Sequence, residues 1–235
     1  MTLLVEKLDL FYGDAQALEE VTLSVEEGEA VAVVGANGAG KTSLIRAIAG
    51  MLKPRAGRVR FHGRDITGLP SHAICALGIG QVAEGRQVFP TLSVRDNLRL
   101  GATAARARPK AAVNLERMLA LFPRLKERLG QLAGALSGGE QQMLAIARCL
   151  MSEPEFVMFD EPSLGLSPSL AAQVLSTIRE LNAQGLACLI VEQNVAASLR
   201  IAARAYVLEN GKIALAGKSG DLLHDQRVRS AYLGM

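Results

Sequence analysis

Long hydrophobic runs are missing from this sequence: no apolar stretch approaches the roughly 20 residues that a helix needs to cross a bilayer. The amino terminus, MTLLVEKLDL, brings Glu6, Lys7 and Asp9 early and so lacks the basic start and apolar stretch of a secretory signal. The protein is expected to be soluble, or at most held at a membrane by a partner. Cysteine is scarce. Cys75, Cys149 and Cys188 are odd in number, far apart and outside any C-x-x-C pattern, which suits a reducing cytosol and excludes a disulfide framework and a structural zinc. His62, His72 and His224 show no ligand spacing. A charge excess is lacking as well: the net charge is +3 and the basic residues are interleaved with acids. The exception, RARPK at 106–110, reads as a solvated loop, so charge gives no argument for nucleic acid.

What is present is enough for a sizeable core, with 49% hydrophobic residues in a chain of 235. LLVEKLDLFYG, EEVTLSVEEG and EAVAVVG are short extended runs, each stopped by glycine, so the opening third reads as β-rich. After Gly40 the period changes, and Leu44, Ile45, Ile48, Met51 and Leu52 fall on one helical face. GRVRFHGRDIT reads as a hairpin. From about 93 to 152 the pattern is chiefly helical, with Ser93 and Asp96 placed as a cap. Strand-like runs return at FVMFD and ACLIVEQ with a helical stretch between them, as a parallel sheet requires. No repeat or low-complexity linker divides the chain. We expect one α/β domain, 1–235, with a helical subdomain inserted at approximately 85–155.

Two motifs carry chemistry by themselves. GANGAGKTS, residues 35–43, fits G-x-x-x-x-G-K-[ST] between a buried strand and an amphipathic helix. Backbone N–H groups of Gly35, Ala36, Asn37, Gly38, Ala39, Gly40, Lys41, Thr42 and Ser43 can surround a polyphosphate, with Lys41 on the β and γ phosphates and the Thr42 hydroxyl on Mg²⁺. FVMFDE, residues 156–161, is an apolar strand ending in two carboxylates. Asp160 is placed to hold Mg²⁺ through water, and Glu161 to orient or deprotonate the attacking water.

LSGGEQQ, residues 136–142, is a second glycine-rich helix start in a chain that needs only one phosphate loop. Ser137 and Glu140 form a capping box, and Met143, Leu144, Ile146, Ala147 and Leu150 supply an apolar face. Capping does not explain Gly138 and Gly139, each of which costs about 1 kcal/mol against alanine in a helix. Bare amides and a serine hydroxyl at a helix amino end make an anion site.

Phosphate loop, LSGGEQQ and strand-DE in this order resemble the nucleotide-binding subunit of an ABC transporter, across essentially the whole chain. The resemblance implies a P-loop NTPase fold of ABC type: a mixed sheet core, an antiparallel β part and an inserted helical subdomain. It also implies that Ser137, Gly138, Gly139 and Glu140 act on a partner's ATP, because two such subunits pair head to tail. Tyr12 matches the aromatic that stacks on adenine. Glu84 stands where most relatives have a glutamine contacting Mg²⁺ and water, Ser167 where aspartate is usual in the dimer loop, and Gln193 where a histidine touches the γ phosphate. These departures are chemically compatible with turnover, since a carboxylate can hold Mg²⁺ and a glutamine can position water.

The combination of VAEGR, SLGLSP and VEQN is similar to the second ATPase of branched-chain amino acid importers. The implied protein is a transport ATPase using ATP and Mg²⁺, paired with a second ABC ATPase (a heterodimer, with self-pairing open) and with permease subunits on the cytoplasmic face of the membrane. A solute-binding protein is an indirect partner. Val88, Phe89, Pro90 and Leu92 would meet a short cytoplasmic helix of the membrane subunit. Other readings stay open: a nucleotide-gated regulatory module that no longer hydrolyses, or an importer ATPase for amides or urea. A chromosome-type ATPase is disfavoured because no sustained heptad lies between Thr42 and Leu136.

Overall fold

A computed structural model describes residues 1–232; the last three residues of the expected 1–235 domain lie outside the described residues. In chain order the elements are β1 (Leu3–Tyr12), β2 (Ala15–Val25), β3 (Ala30–Val34), α1 (Lys41–Ile48), β4 (Ala56–Phe61), β5 (Arg64–Asp65), α2 (Ser71–Leu77), β6 (Ile79–Val82) and α3 (Val94–Gly101). They continue as α4 (Ala111–Leu121), α5 (Pro123–Glu127), α6 (Gly138–Leu150), β7 (Phe156–Asp160), α7 (Pro168–Ala183), β8 (Ala187–Glu192), α8 (Val195–Leu199), β9 (Arg204–Glu209), β10 (Lys212–Lys218), α9 (Ser219–Leu222) and α10 (Gln226–Tyr232).

Two sheets form. Strands β2, β1, β4 and β5 make an antiparallel sheet in that order, with alternating burial along β1 as expected of a strand with one face on the core. The second sheet runs β10-β9-β3-β8-β7-β6 and is parallel except at β10. Its central strands β3, β7 and β8 are buried at every position, which is why AVAVV, FVMFD and ACLIVE read as continuous apolar runs. One core cluster joins α1 to both sheets, and another packs α3 to α7 onto the opposite face of β7 and β8. Between residues 94 and 150 all regular structure is helical.

The cap at Ser93 is present: its Oγ accepts from the Asp96 amide at 3.1 Å. The face read over 44–52 is shorter than expected. Helix α1 stops at Ile48 because Gly50 turns left-handed (φ 68°), and Met51 is left 56% exposed outside the helix. In RARPK, Arg108 and Lys110 are exposed as expected, but Arg106 is not. Arg106 Nε donates to the Ser152 carbonyl at 2.8 Å and Nη1 to the Ala76 carbonyl at 3.2 Å, so this arginine pins the helical region instead of standing in solvent.

Arg204 on β9 donates to both carboxylate oxygens of Glu29, at 2.6 and 2.9 Å, and to the Ser24 carbonyl at 3.0 Å, tying the two sheets together. No helix among the described residues is long and apolar enough to cross a membrane.

Candidate functional site

In an open parallel sheet, ligands gather at the carboxyl ends of the strands, where adjacent connections diverge. Strand β3 has β8 on one side and β9 on the other, and the loop 35–40 leaves from its carboxyl end. Two glycines there are required by close approach. A Cβ on Gly35 would stand 2.2 Å from the Leu208 carbonyl oxygen, and Gly40 has φ 106° with Ala17 O only 2.8 Å from where its Cβ would be. Ala39 is buried, and its carbonyl accepts from the Gly211 amide at 3.0 Å, fixing the loop to the turn before β10. No side chain caps α1, whose first-turn residues Lys41, Thr42 and Ser43 line a cavity of about 670 Å³. Uncapped amides at a helix start favour an anion.

Asn37, Gly38, Gly40, Glu84 and Glu161 share that cavity, with Tyr12 at its rim. Tyr12 is 45% exposed and its hydroxyl lies 3.2 Å from Ser43 Oγ, leaving a ring face free for a flat ligand. Lys41 is buried. Its Nζ donates to the Gly35 carbonyl at 2.9 Å and the Ala36 carbonyl at 3.1 Å, and pairs with Glu161 Oε1 at 3.2 Å. The loop therefore folds its cation back onto itself and onto the carboxylate. Glu161 has φ 46°, an unfavourable backbone for a non-glycine residue, held by its amide donating to the Val191 carbonyl at 2.8 Å.

Asp160 ends β7 almost fully buried, and Thr42 Oγ1 donates to its Oδ1 at 3.3 Å. Burial pushes the Asp160 carboxyl up to about 6; the Thr42 hydrogen bond opposes this, while the charges of Glu84 and Glu161 add to it. Three carboxylates thus meet one hydroxyl and one lysine. The donors are all oxygen and suit a hard cation such as Mg²⁺. Among the described residues no group of three acidic, histidine or cysteine side chains is arranged to hold a metal alone.

The remaining expected residues stand elsewhere. Ser137 caps α6, accepting from the Glu140 amide while its own amide donates to Glu140 Oε2 at 2.8 Å, a full capping box. Arg128 Nε pairs with Glu140 Oε1 at 2.8 Å. Ser137, Gly138 and Gly139 do not line the cavity of their own chain. Ser167 is exposed at the start of α7, with its hydroxyl 3.2 Å from Ser169 Oγ. Gln193 is exposed in the bend after β8, outside the cavity.

Two site-bordering residues escaped sequence reasoning. Buried Glu192 accepts from the Ser163 amide at 2.9 Å and holds the loop that follows Glu161. Arg86 lies over the start of α6, where a Cβ on Gly138 would meet its guanidinium at 2.8 Å. An invariably apolar strand closing on a glutamate was the available signal for the first; nothing in the local pattern marks the second.

Comparison with known proteins agrees with this geometry. A family model described as "ABC transporter" matches residues 18–164. The chain is 45% identical to the high-affinity branched-chain amino acid transport ATP-binding protein BraG of Pseudomonas aeruginosa, over 97% of this chain and 98% of that protein. It is 34% identical to the lipopolysaccharide export system ATP-binding protein LptB of Escherichia coli K12, over 99% of this chain and 97% of that one. Among solved structures, the ADP conformation of an ATP-binding cassette of an ABC transporter superposes with a TM-score of 0.88 at 29% identity, covering 100% of this chain and 99% of the other. A dimeric bacterial ABC transporter cassette gives 0.78 at 25% identity, over 92% and 98%. With a phosphate loop, an acidic strand end and a capped signature helix set on this two-sheet frame, the chain belongs to the ABC transporter ATP-binding family and is an ATPase.

Proposed function

We propose that this chain is the ATP-binding and hydrolysing subunit of an ABC importer for branched-chain or other hydrophobic amino acids. It would work with a second ABC ATPase, as a heterodimer, beneath permease subunits at the cytoplasmic face of the membrane. The observation that carries the shared-site reading is the split between the two glycine-rich helix starts. The cavity holds Lys41, Thr42, Glu84 and Glu161, while Ser137 and Gly138 lie outside it. A cavity that lacks its second anion-binding wall is completed by another molecule. The amino-acid cargo rests on the identity to BraG; likeness to LptB is lower, and an export role is the second reading it supports.

In this reading Gly35 to Ser43 hold the triphosphate and Tyr12 stacks on the base. Thr42, Asp160 and Glu84 would hold Mg²⁺, which supplies charge neutralisation at the β and γ oxygens. Lys41 leaves Glu161 for phosphate, and Glu161, so released, accepts the proton of the attacking water. Ser137, Gly138, Gly139 and Glu140 face the partner's γ phosphate, and Ser167 touches the opposite site. Gln193 reaches its own γ phosphate only if the bend after β8 moves inward. Residues 85–155 would act as the inserted helical subdomain that carries the signature toward the partner.

Of the four residues expected to meet the permease helix, Phe89 borders a groove of about 1060 Å³ with Met51, Leu100 and Arg148, while Val88, Pro90 and Leu92 do not line it; this groove is the proposed seat. Phe89 is 49% exposed there, and Arg148 Nη1 has no hydrogen-bond partner among the described residues. Asn97 holds the adjoining backbone, accepting from the Phe89 amide at 2.9 Å and donating to the Phe89 carbonyl at 3.0 Å.

The test is Ser137→Arg. Nucleotide titration of the isolated variant should match wild type, while ATP-driven dimerisation, read by light scattering, should be lost. Unchanged dimerisation would remove the shared site. Cargo is read separately, from which solute stimulates ATP hydrolysis in the complex that co-purifies with the chain.

A further inference from the structure

We infer that Arg86 is a positioning residue that locks the Glu84 loop to the signature and to the loop before α7. One protomer's own nucleotide pocket and the surface it turns to its partner then move as one body. The inference rests on the proposed function, in which Glu84 serves the chain's own ATP and Ser137 and Ser167 serve the partner's.

The loop after Glu84 is unusual in its backbone. Gly85, Arg86 and Gln87 are all left-handed, with φ 78°, 67° and 47°. Two of these are not glycine, and such a run persists only where its surroundings hold it. The grip comes from α6. Arg86 Nη1 donates to Gln141 Oε1 at 3.4 Å, and Nη2 donates to the Gly165 carbonyl at 3.5 Å. Further along the same helix, Arg148 Nη2 donates to the Gln87 carbonyl, and its guanidinium lies 5.1 Å from the centre of the Phe89 ring. The loop is therefore pinned to α6 at two points, with Glu84 at its start lining the nucleotide cavity.

The two Arg86 hydrogen bonds are long, so packing carries most of the contact. A Cβ on Gly138 would stand 2.8 Å from Nη2, 2.9 Å from Cζ and 3.0 Å from Nη1, placing the guanidinium flat against the bare backbone of the signature's first turn. Gly139 has a different neighbour, the Leu170 side chain of α7, which its Cβ would meet at 2.9 Å. Each signature glycine thus answers to its own chain, one to the Glu84 loop and one to the helix after the dimer loop. Only a planar fork of donors can lie against a peptide plane while reaching both Gln141 and Gly165; a lysine ammonium cannot.

Four full-length chains test this: Arg86→Ala, Arg86→Lys, Gly138→Ala and the double variant Arg86→Ala with Gly138→Ala. Each is assayed in its co-purified complex for kcat, KM and the Hill coefficient of ATP hydrolysis, and alone for nucleotide affinity and thermal melting. Arg86→Ala should lower kcat about tenfold and bring the Hill coefficient toward unity, with nucleotide affinity of the isolated chain within about twofold of wild type. Arg86→Lys should not restore it. Gly138→Ala should lower the melting temperature in the wild-type background and much less in the Arg86→Ala background. Wild-type kcat and cooperativity in Arg86→Ala would overturn the coupling. Strict additivity of the two substitutions in melting would overturn the contact itself, whatever the activity. A wild-type complex that splits no ATP would instead count against the proposed function, with the melting cycle still reporting on the clamp.

Discussion

Lys41 and Glu161 face each other at 3.2 Å, both nearly buried, and this pair governs what single substitutions can reveal. A buried ion pair gains little net stability because both charges are desolvated, yet removing one partner strands the other. In Glu161→Gln, Lys41 keeps its bonds to the Gly35 and Ala36 carbonyls, so the fold and nucleotide binding should survive. Turnover should fall by about 10²- to 10⁴-fold, the usual worth of a general base. Phosphate release and a nucleotide titration on the same preparation check both halves, and near-normal hydrolysis would remove Glu161 as the base.

A second residue-scale prediction concerns Glu29. Burial alone would raise its carboxyl, but hydrogen bonds from Arg204 and the Glu26 amide, with the Arg204 charge, outweigh it and hold the group below its ordinary 4.5. Folding therefore favours the ionised form. The contribution is complete above about pH 4.5 and is lost as pH falls through the depressed value. The pair is partly exposed, so Glu29→Gln should cost about 1 kcal/mol at neutral pH. Melting curves of the two chains should converge on acidification, and a gap that stays constant to pH 3 would contradict the assignment.

Elements were legible where a period or a motif spans several residues. The capping box at Ser137, the cap at Ser93 and the apolar strand ending at Asp160 all stand as read, because each is local chemistry between neighbours in sequence. The end of α1 was misjudged because the apolar spacing runs on past Gly50. That glycine cannot bear a side chain, since its Cβ would meet the Leu69 carbonyl oxygen at 2.1 Å. Arg86, Arg106 and Glu192 were illegible for a common reason: their partners Gln141, Ser152 and Ser163 lie 55, 46 and 29 residues away, and a lone charged residue reports no distance.

The crossing of α3 and α6 illustrates a contact that no periodicity reveals. Gly101 lies against α6 so closely that a Cβ would stand 2.1 Å from the Arg148 carbonyl oxygen. Backbone cannot yield as a side-chain tip can. Gly101→Ala should destabilise by about 1–3 kcal/mol through forced separation of the helices. Gly130→Ala is the control, because nothing lies within 4 Å of its Cβ. Equal melting temperatures for the two variants would show that α3 shifts freely.

For the whole molecule, the arrangement of cavity and signature on separate surfaces predicts a dependence on concentration. The chain with its partner should show specific ATPase activity that declines on dilution through the dissociation range, while nucleotide binding by each chain does not change. Activity independent of dilution would mean that one chain completes its own pocket. Helix α6 unites the two ends of this design, since Ser137 caps its start and Arg148, near its other end, borders the groove proposed for the permease. In the proposed roles Lys41 grips phosphate and Glu161 takes the proton of water, and these two side chains pair at 3.2 Å. With Lys41 latched to Glu161, the tool that grips fuel and the tool that cuts it disarm each other. In those roles the arrival of fuel would also be what arms the blade.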